Sequence, residues 1–155
     1  MMRRIVPLLF AALLAASAQK YEGPTPPHKD LPYLKHADNL IPTEAVTAKQ
    51  EDKKDETIYT IDGASSTART PLAEPVFLFD SDKIAPEKLQ LFRLDSKGGH
   101  REIRMSKKKS PEPIRMEVKR LSGNLFRIEV DESLDPGEYS LSPSDSNQAF
   151  CFQVF

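Results

Sequence analysis

Between Ile114 and Asp131 apolar and charged residues alternate almost one for one, and this period of two constrains the fold more than any other feature of the chain. Ile114, Met116 and Val118 alternate with Arg115, Glu117 and Lys119. After Ser122-Gly123-Asn124, Phe126, Ile128 and Val130 alternate with Arg127, Glu129 and Asp131. Successive side chains of a strand point to opposite faces, so the segment reads as a two-faced antiparallel hairpin, one face on a core and one in water. A slip of one residue would bury the charges, which specifies the register strongly.

The same rhythm runs from Thr57 to the end. Thr57–Ile61 alternates and stops at Asp62-Gly63. Gly63 to Thr70 is rich in Ala, Ser and Thr and reads as a loop. Pro75–Asp80 is short and apolar, as a strand buried on both faces would be. Pro86–Leu94 and Arg101–Met105 flank Ser96-Lys97-Gly98-Gly99 and make a second hairpin. Tyr139–Leu141 and Ala149–Phe155 close the chain. Seven or eight short strands separated by turn signals predict an all-β antiparallel sandwich over residues 57–155. No repeat of fixed period occurs.

Two segments precede it. Residues 1–18 have a charged start (Arg3, Arg4), an apolar run from Ile5 to Ala15 and a small-residue end, Ala16-Ser17-Ala18. This is the pattern of a cleavable secretory signal peptide. The apolar run is shorter than the roughly 20 residues a membrane-spanning helix needs. The expectation is therefore export, to the periplasm or beyond, with no transmembrane segment in the mature chain. Residues 19–56 form a Pro-rich arm, with Pro24, Pro26, Pro27, Pro32 and Pro42, which favour extended backbone. Leu31, Tyr33, Leu34, Leu40 and Ile41 give it apolar residues, so it either tethers the domain or folds back on it. A short helix is expected over 43–54, capped by Thr43 with Glu44 in its first turn and Lys53 and Lys54 in its last.

Leu134-Asp-Pro-Gly-Glu-Tyr139 resembles the tyrosine corner of immunoglobulin-like and fibronectin type III domains. The resemblance implies that the Tyr139 hydroxyl bonds to backbone a few residues upstream, that Leu134 enters the core, and that the sandwich is immunoglobulin-like. Three further stretches are similar to a group of uncharacterised exported bacterial proteins. They are Leu31-Pro-Tyr-Leu-Lys-His-Ala-Asp-Asn-Leu-Ile-Pro-Thr-Glu44, Gly63-Ala-Ser-Ser-Thr-Ala-Arg-Thr-Pro-Leu-Ala-Glu-Pro75, and Gly137-Glu-Tyr-Ser-Leu141 with Phe150-Cys-Phe152. That likeness implies a bacterial envelope origin and carries no activity.

Several side chains are of types that carry chemistry. A formal net charge of −1, with Arg3 and Arg4 inside the leader, supplies no basic stripe for nucleic acid. The pairs His28/Asp30 and His36/Asp38 do not amount to the three or four convergent ligands of a closed metal site, and His100 sits beside a turn. Asp80/Asp82 and Ser65/Ser66 with Arg69 fit turn and loop chemistry better than a hydrolase dyad or triad. Lys107-Lys108-Lys109 reads as a solvated loop. Phe155 ends a strand. Cys151, the single cysteine, reads as a buried small side chain, since an unpaired thiol in an exported protein is otherwise a reactive group. The sequence thus assigns no catalytic residue, metal ligand or cofactor. The function expected is a non-catalytic binding or accessory module of the envelope, with an envelope protein or polysaccharide as partner. The alternatives are a structural subunit assembling through residues 19–56, and a hydrolase.

Overall fold

A computed structural model gives the structure over residues 20–155; the expected leader at 1–18 lies outside these described residues. Thirteen strands follow in order: β1 (Tyr33–His36), β2 (Asn39–Pro42), β3 (Glu44–Thr47), β4 (Lys49–Asp52), β5 (Glu56–Asp62), β6 (Arg69–Thr70), β7 (Val76–Asp80), β8 (Leu89–Lys97), β9 (His100–Ser106), β10 (Met116–Ser122), β11 (Leu125–Val130), β12 (Gly137–Pro143) and β13 (Gln148–Val154). One 3-10 turn, Pro86–Lys88, precedes β8.

They form two antiparallel layers. The first has the order β10-β11-β7-β1-β2, and the second the order β3-β13-β12-β8-β9-β5-β4, with β6 beside β13. Strands β1, β7, β11 and β10 take the A, B, E and D places of an immunoglobulin-like sandwich, and β8, β12 and β13 take C, F and G. The core between the layers holds Leu34, Phe77, Phe79, Ile128 and Val130 from the first. Leu89, Leu91, Tyr139, Leu141, Phe150, Phe152 and Val154 come from the second. Phe152 sits at its centre, edge-on to Phe77 (centroids 5.1 Å apart) and stacked with Tyr139 (5.6 Å), the offset and T-shaped geometries that aromatic quadrupoles favour. The middle of β7 is buried on both faces as expected: Phe77 and Phe79 face the core, and Leu78 is 1% exposed on the other side. Tyr33 pairs with Leu78 there. Pro26 is buried as well, and Asp30 N–H bonds Asp80 O at the end of β7, so the chain before β1 stays close to this layer.

Both hairpins appear where the alternation puts them. Met116 faces Val130 and Val118 faces Ile128 across β10–β11. Lys97 faces His100 across β8–β9, with Gly98 and Gly99 at φ 57° and 82°. Two left-handed residues in a two-residue loop match the strand twist, and glycine accepts them without strain. Ile114 departs from the expected hairpin. Its N–H bonds Leu91 O at 2.8 Å, so it belongs to the second layer, and the chain crosses to the first before β10 begins.

The segment 43–54 is strand, not helix. Thr43 does not cap: its hydroxyl and its N–H both donate to Pro32 O, at 2.7 and 3.1 Å. Glu44, Val46 and Ala48 turn inward while Ala45 and Thr47 are exposed, a period of two that the thin apolar content left ambiguous. Isolated helices this short are marginal in water; here β13 and β5 supply partners for the extended backbone, and the helix loses. The Pro-rich arm accordingly folds back: β1 and β2 join the first layer and β3 and β4 the second. The arm thus adds four strands, and the rest of the chain has nine where seven or eight were expected, the two-residue β6 lying in the segment read as a loop.

The tyrosine corner is formed. Tyr139 Oη donates to Asp135 O at 2.6 Å, and Leu134 is buried in the core. Tyr139→Phe removes this bond and leaves the stack on Phe152 intact. A loss of about 1 kcal/mol is expected, read as a lower urea midpoint at unchanged slope.

Candidate functional site

The two ends of the second layer are one continuous stretch of chain. β3 pairs with β13, from Gln148↔Thr47 to Cys151↔Glu44. β4 pairs with β5, from Lys49↔Thr60 to Asp52↔Thr57. Only Ala48 lies between β3 and β4, and its N–H donates to Asn147 O at 2.8 Å. The ladders β13–β12, β12–β8, β8–β9 and β9–β5 complete the circuit. The layer therefore curls into a closed ring, and the face of β8, β12 and β13 turned away from the sandwich core lines a second interior. Ala48, Ile61, Leu94, Ala149 and Cys151 are buried there, with Val46, Tyr59 and Ile103 packed against them.

One end of this interior is stopped by charge. Arg101, on β9, is 1% exposed. Its Nη1 and Nη2 meet Glu44 Oε1 and Oε2 at 2.7 and 3.1 Å, the bidentate fork that guanidinium favours. Its Nε donates to Gly63 O and its Nη2 to Asp62 O, both at 2.8 Å. Gly63 has φ +89°, a conformation open to glycine at no cost, which aims its carbonyl at the guanidinium. Glu138 is 4.0 Å from Arg101 Nη1 and accepts from Ser66 N–H. The Ser66 hydroxyl donates to Cys151 O and accepts from Ala68 N–H.

The two carboxylates respond oppositely. Burial raises Glu44, but the two hydrogen bonds from Arg101 and its charge outweigh it and hold the group below the usual range. Burial also raises Glu138; the Ser66 N–H and the more distant Arg101 offset it only in part, and Glu44 adds repulsion, so it stays above its usual range. Burial pushes the Cys151 thiol up to about 12, which makes it inert as a nucleophile.

The other end is open. Past the Asp95↔Glu102 pair β8 and β9 diverge, and Ile114 takes the vacated edge of β8 at Leu91. A cavity of about 140 Å³ lies there. Its apolar walls include Tyr59, Ile61, Phe92, Leu94, Ile103 and Met105; its polar lining is Gln90 on β8, Ser140 and Ser142 on β12, and Ser144, Ser146, Asn147 and Gln148 where β12 leads into β13.

The remaining candidates are tied to local structure. Asp30 accepts from the backbone N–H groups of Asp82, Lys83 and Ile84, so it caps that loop, and its own N–H bonds Asp80 O. His36 Nε2 is 2.7 Å from Thr70 Oγ1. His100 Nε2 is 3.7 Å from Glu102. Arg69 bonds Gln153 and lies over the Phe155 ring. Lys107–Lys109 are exposed. Among the described residues no three His, Cys, Asp or Glu side chains converge as a metal site requires, and no helix is long and apolar enough to cross a membrane.

Sequence reasoning missed Arg101, Glu44 and Glu138, which stood among many charges, and missed the ring and its cavity. The one available signal was the inward phase of Arg101, Ile103 and Met105 along β9. No family model, curated protein or solved structure matches this chain.

Two outcomes test the charged stopper. Glu44, with its lowered pKa, contributes stability that is full above the ordinary Glu value of about 4.3 and is lost as pH falls through its folded value. Glu138, with its raised pKa, favours the fold below that value and ceases to as pH rises through its own. Glu44→Gln is therefore expected to cost about 3 kcal/mol at pH 7, the gap to wild type closing as the pH falls below about 4. Glu138→Gln gains on wild type as the pH is raised. Denaturant titrations across pH 3–7 read both. Separately, Cys151 in the native protein at pH 8 stays unmodified by a disulfide reagent, reacting at once in 6 M guanidinium; fast native labelling contradicts the burial described.

Proposed function

We propose that this chain is an exported, non-catalytic binding module of the bacterial envelope that takes a small ligand into the open end of the curled layer. The cavity is the observation that carries the reading: concave, walled by aromatic and aliphatic side chains, with a few polar groups on one edge, it has the form of ligand sites in general. The leader pattern at 1–18 and the likeness to exported bacterial proteins support the compartment. The buried thiol and the use of the Asp30 carboxylate and the Ser66 hydroxyl in holding loops favour binding over hydrolysis. A polysaccharide chain or a folded protein surface does not enter a space of about 140 Å³. The cavity itself thus suits a small molecule; the envelope protein or polysaccharide expected from sequence would engage another surface of the module.

Expression of the full chain in a bacterium should yield periplasmic protein that begins at Gln19. Its ¹⁵N-labelled form is then titrated with a panel of single-ring aromatics, short alkanes and short fatty acids. Shifts confined to amides of Tyr59, Ile103, Met105, Ser142 and Gln148 with at least one panel member support the module. Retention of the leader in the cytoplasm removes the compartment, and silence with every compound removes the binding role.

A further inference from the structure

We infer that the ligand is a phenol: one six-membered aromatic ring carrying a hydroxyl. The inference rests on the binding role proposed above and narrows it to a chemical class. Volume comes first. About 140 Å³ is close to the size of an apolar protein cavity that takes benzene, so the space accommodates one ring or a chain of similar bulk and nothing larger. Shape and polarity of the lining come next. Tyr59 and Phe92 flank β9, on β5 and β8, with Ile103 and Met105 between them on β9 itself. Aromatic faces and a thioether favour a flat π-system over a saturated chain of equal volume.

The third argument is a hydroxyl relay along β12. Ser140 is 3% exposed and its Oγ is 2.6 Å from Ser142 Oγ; Ser140 stands opposite Cys151 across β12–β13. Both serines line the cavity. Alternate residues of a strand share a face, which is why residues 140 and 142 meet while Leu141 between them points into the sandwich core. Cys151 carries a proton, since its thiol is held far above neutral pH. The Ser140–Ser142 contact consumes one hydroxyl hydrogen of the pair, leaving Ser142, half-buried at the cavity edge, with hydrogen-bonding capacity that no protein group in this structure meets. A ligand with one hydroxyl on an apolar body satisfies it; a plain hydrocarbon that displaces solvent from it leaves it unmet, which binding penalises. The lining carries no Lys, Arg, Asp or Glu, so a carboxylate or an ammonium would be buried without a counter-charge. This excludes short fatty acids and amines as the preferred class.

Isothermal titration of the mature protein with phenol, p-cresol, benzene, cyclohexanol and butyrate tests the choice. Phenol and p-cresol should bind at least tenfold more tightly than benzene, with cyclohexanol and butyrate weaker still. Ser142→Ala should lower phenol affinity about tenfold while leaving benzene affinity and the urea midpoint unchanged. Phe92→Ala should reduce binding of both rings. If benzene or cyclohexanol matches phenol, or Ser142→Ala affects all ligands alike, the phenol assignment falls and the binding role stands. If none of the five binds but a compound of the wider panel shifts the cavity amides, the outcome is the same. A tripeptide with a central tyrosine, in place of p-cresol, separates a free phenol from a tyrosyl side chain presented by a partner: the free compound binds and the peptide does not.

Discussion

The structure depends on how residues 44–52 divide their backbone hydrogen bonds. A strand has two edges, and an ordinary sheet ends where one of them goes unpaired. Here the first half of the stretch pairs with β13 and the second half with β5, strands from opposite margins of the same layer. That division converts an immunoglobulin-like layer into a ring. It gives β8, β12 and β13 a second buried face, and without it Leu94, Ala149 and Cys151 would line an open surface. The two interiors share these strands as a common wall: Tyr139 and Leu141 look into one, Ser140 and Ser142 into the other.

Closing a ring of so few strands leaves a narrow interior that side chains fill, and the two ends fill differently. At the end near the β5–β6 connection a guanidinium occupies the width, held by a bidentate carboxylate and two backbone carbonyls. Burying an ion pair rarely adds net stability over an apolar filler. What Arg101 supplies is connection: it ties β3 to the loop at Gly63 and sits close to β12. At the opposite end the strands diverge and the filling stops. The contrast between a fully satisfied charged end and an unfilled apolar one is the reason the open end, and not the charge cluster, is the site.

Much of the sandwich was legible because its signals are local. Strict alternation over 116–130, two glycines in a two-residue turn and the Leu134–Tyr139 corner each determine conformation within a few residues. The reading over 43–54 failed for the converse reason. Its apolar content is too thin to declare a period, and of the partners that settle it, Gln148 to Cys151 and Thr57 to Thr60, the first lie more than a hundred positions away. The cavity was illegible on the same grounds: its walls come from β5, β8, β9, β12 and β13, and no pair of them announces the others. Arg101 is instructive in a different way. A charged residue in the inward phase of a strand reads as a break in the pattern, and only the fold shows that Glu44 and Gly63 arrive to meet it.

Ring closure also redistributes the places where one chain can join another. Joining the two margins of the second layer through β3 and β4 leaves β2 and β10, the margins of the first layer, as edges open to a strand from a neighbour, away from the strands that line the cavity. Self-association by sheet extension would thus run along one side of the molecule and leave the other uncovered. Chains lined up in this manner would display their cavities outward, each as accessible as in the monomer.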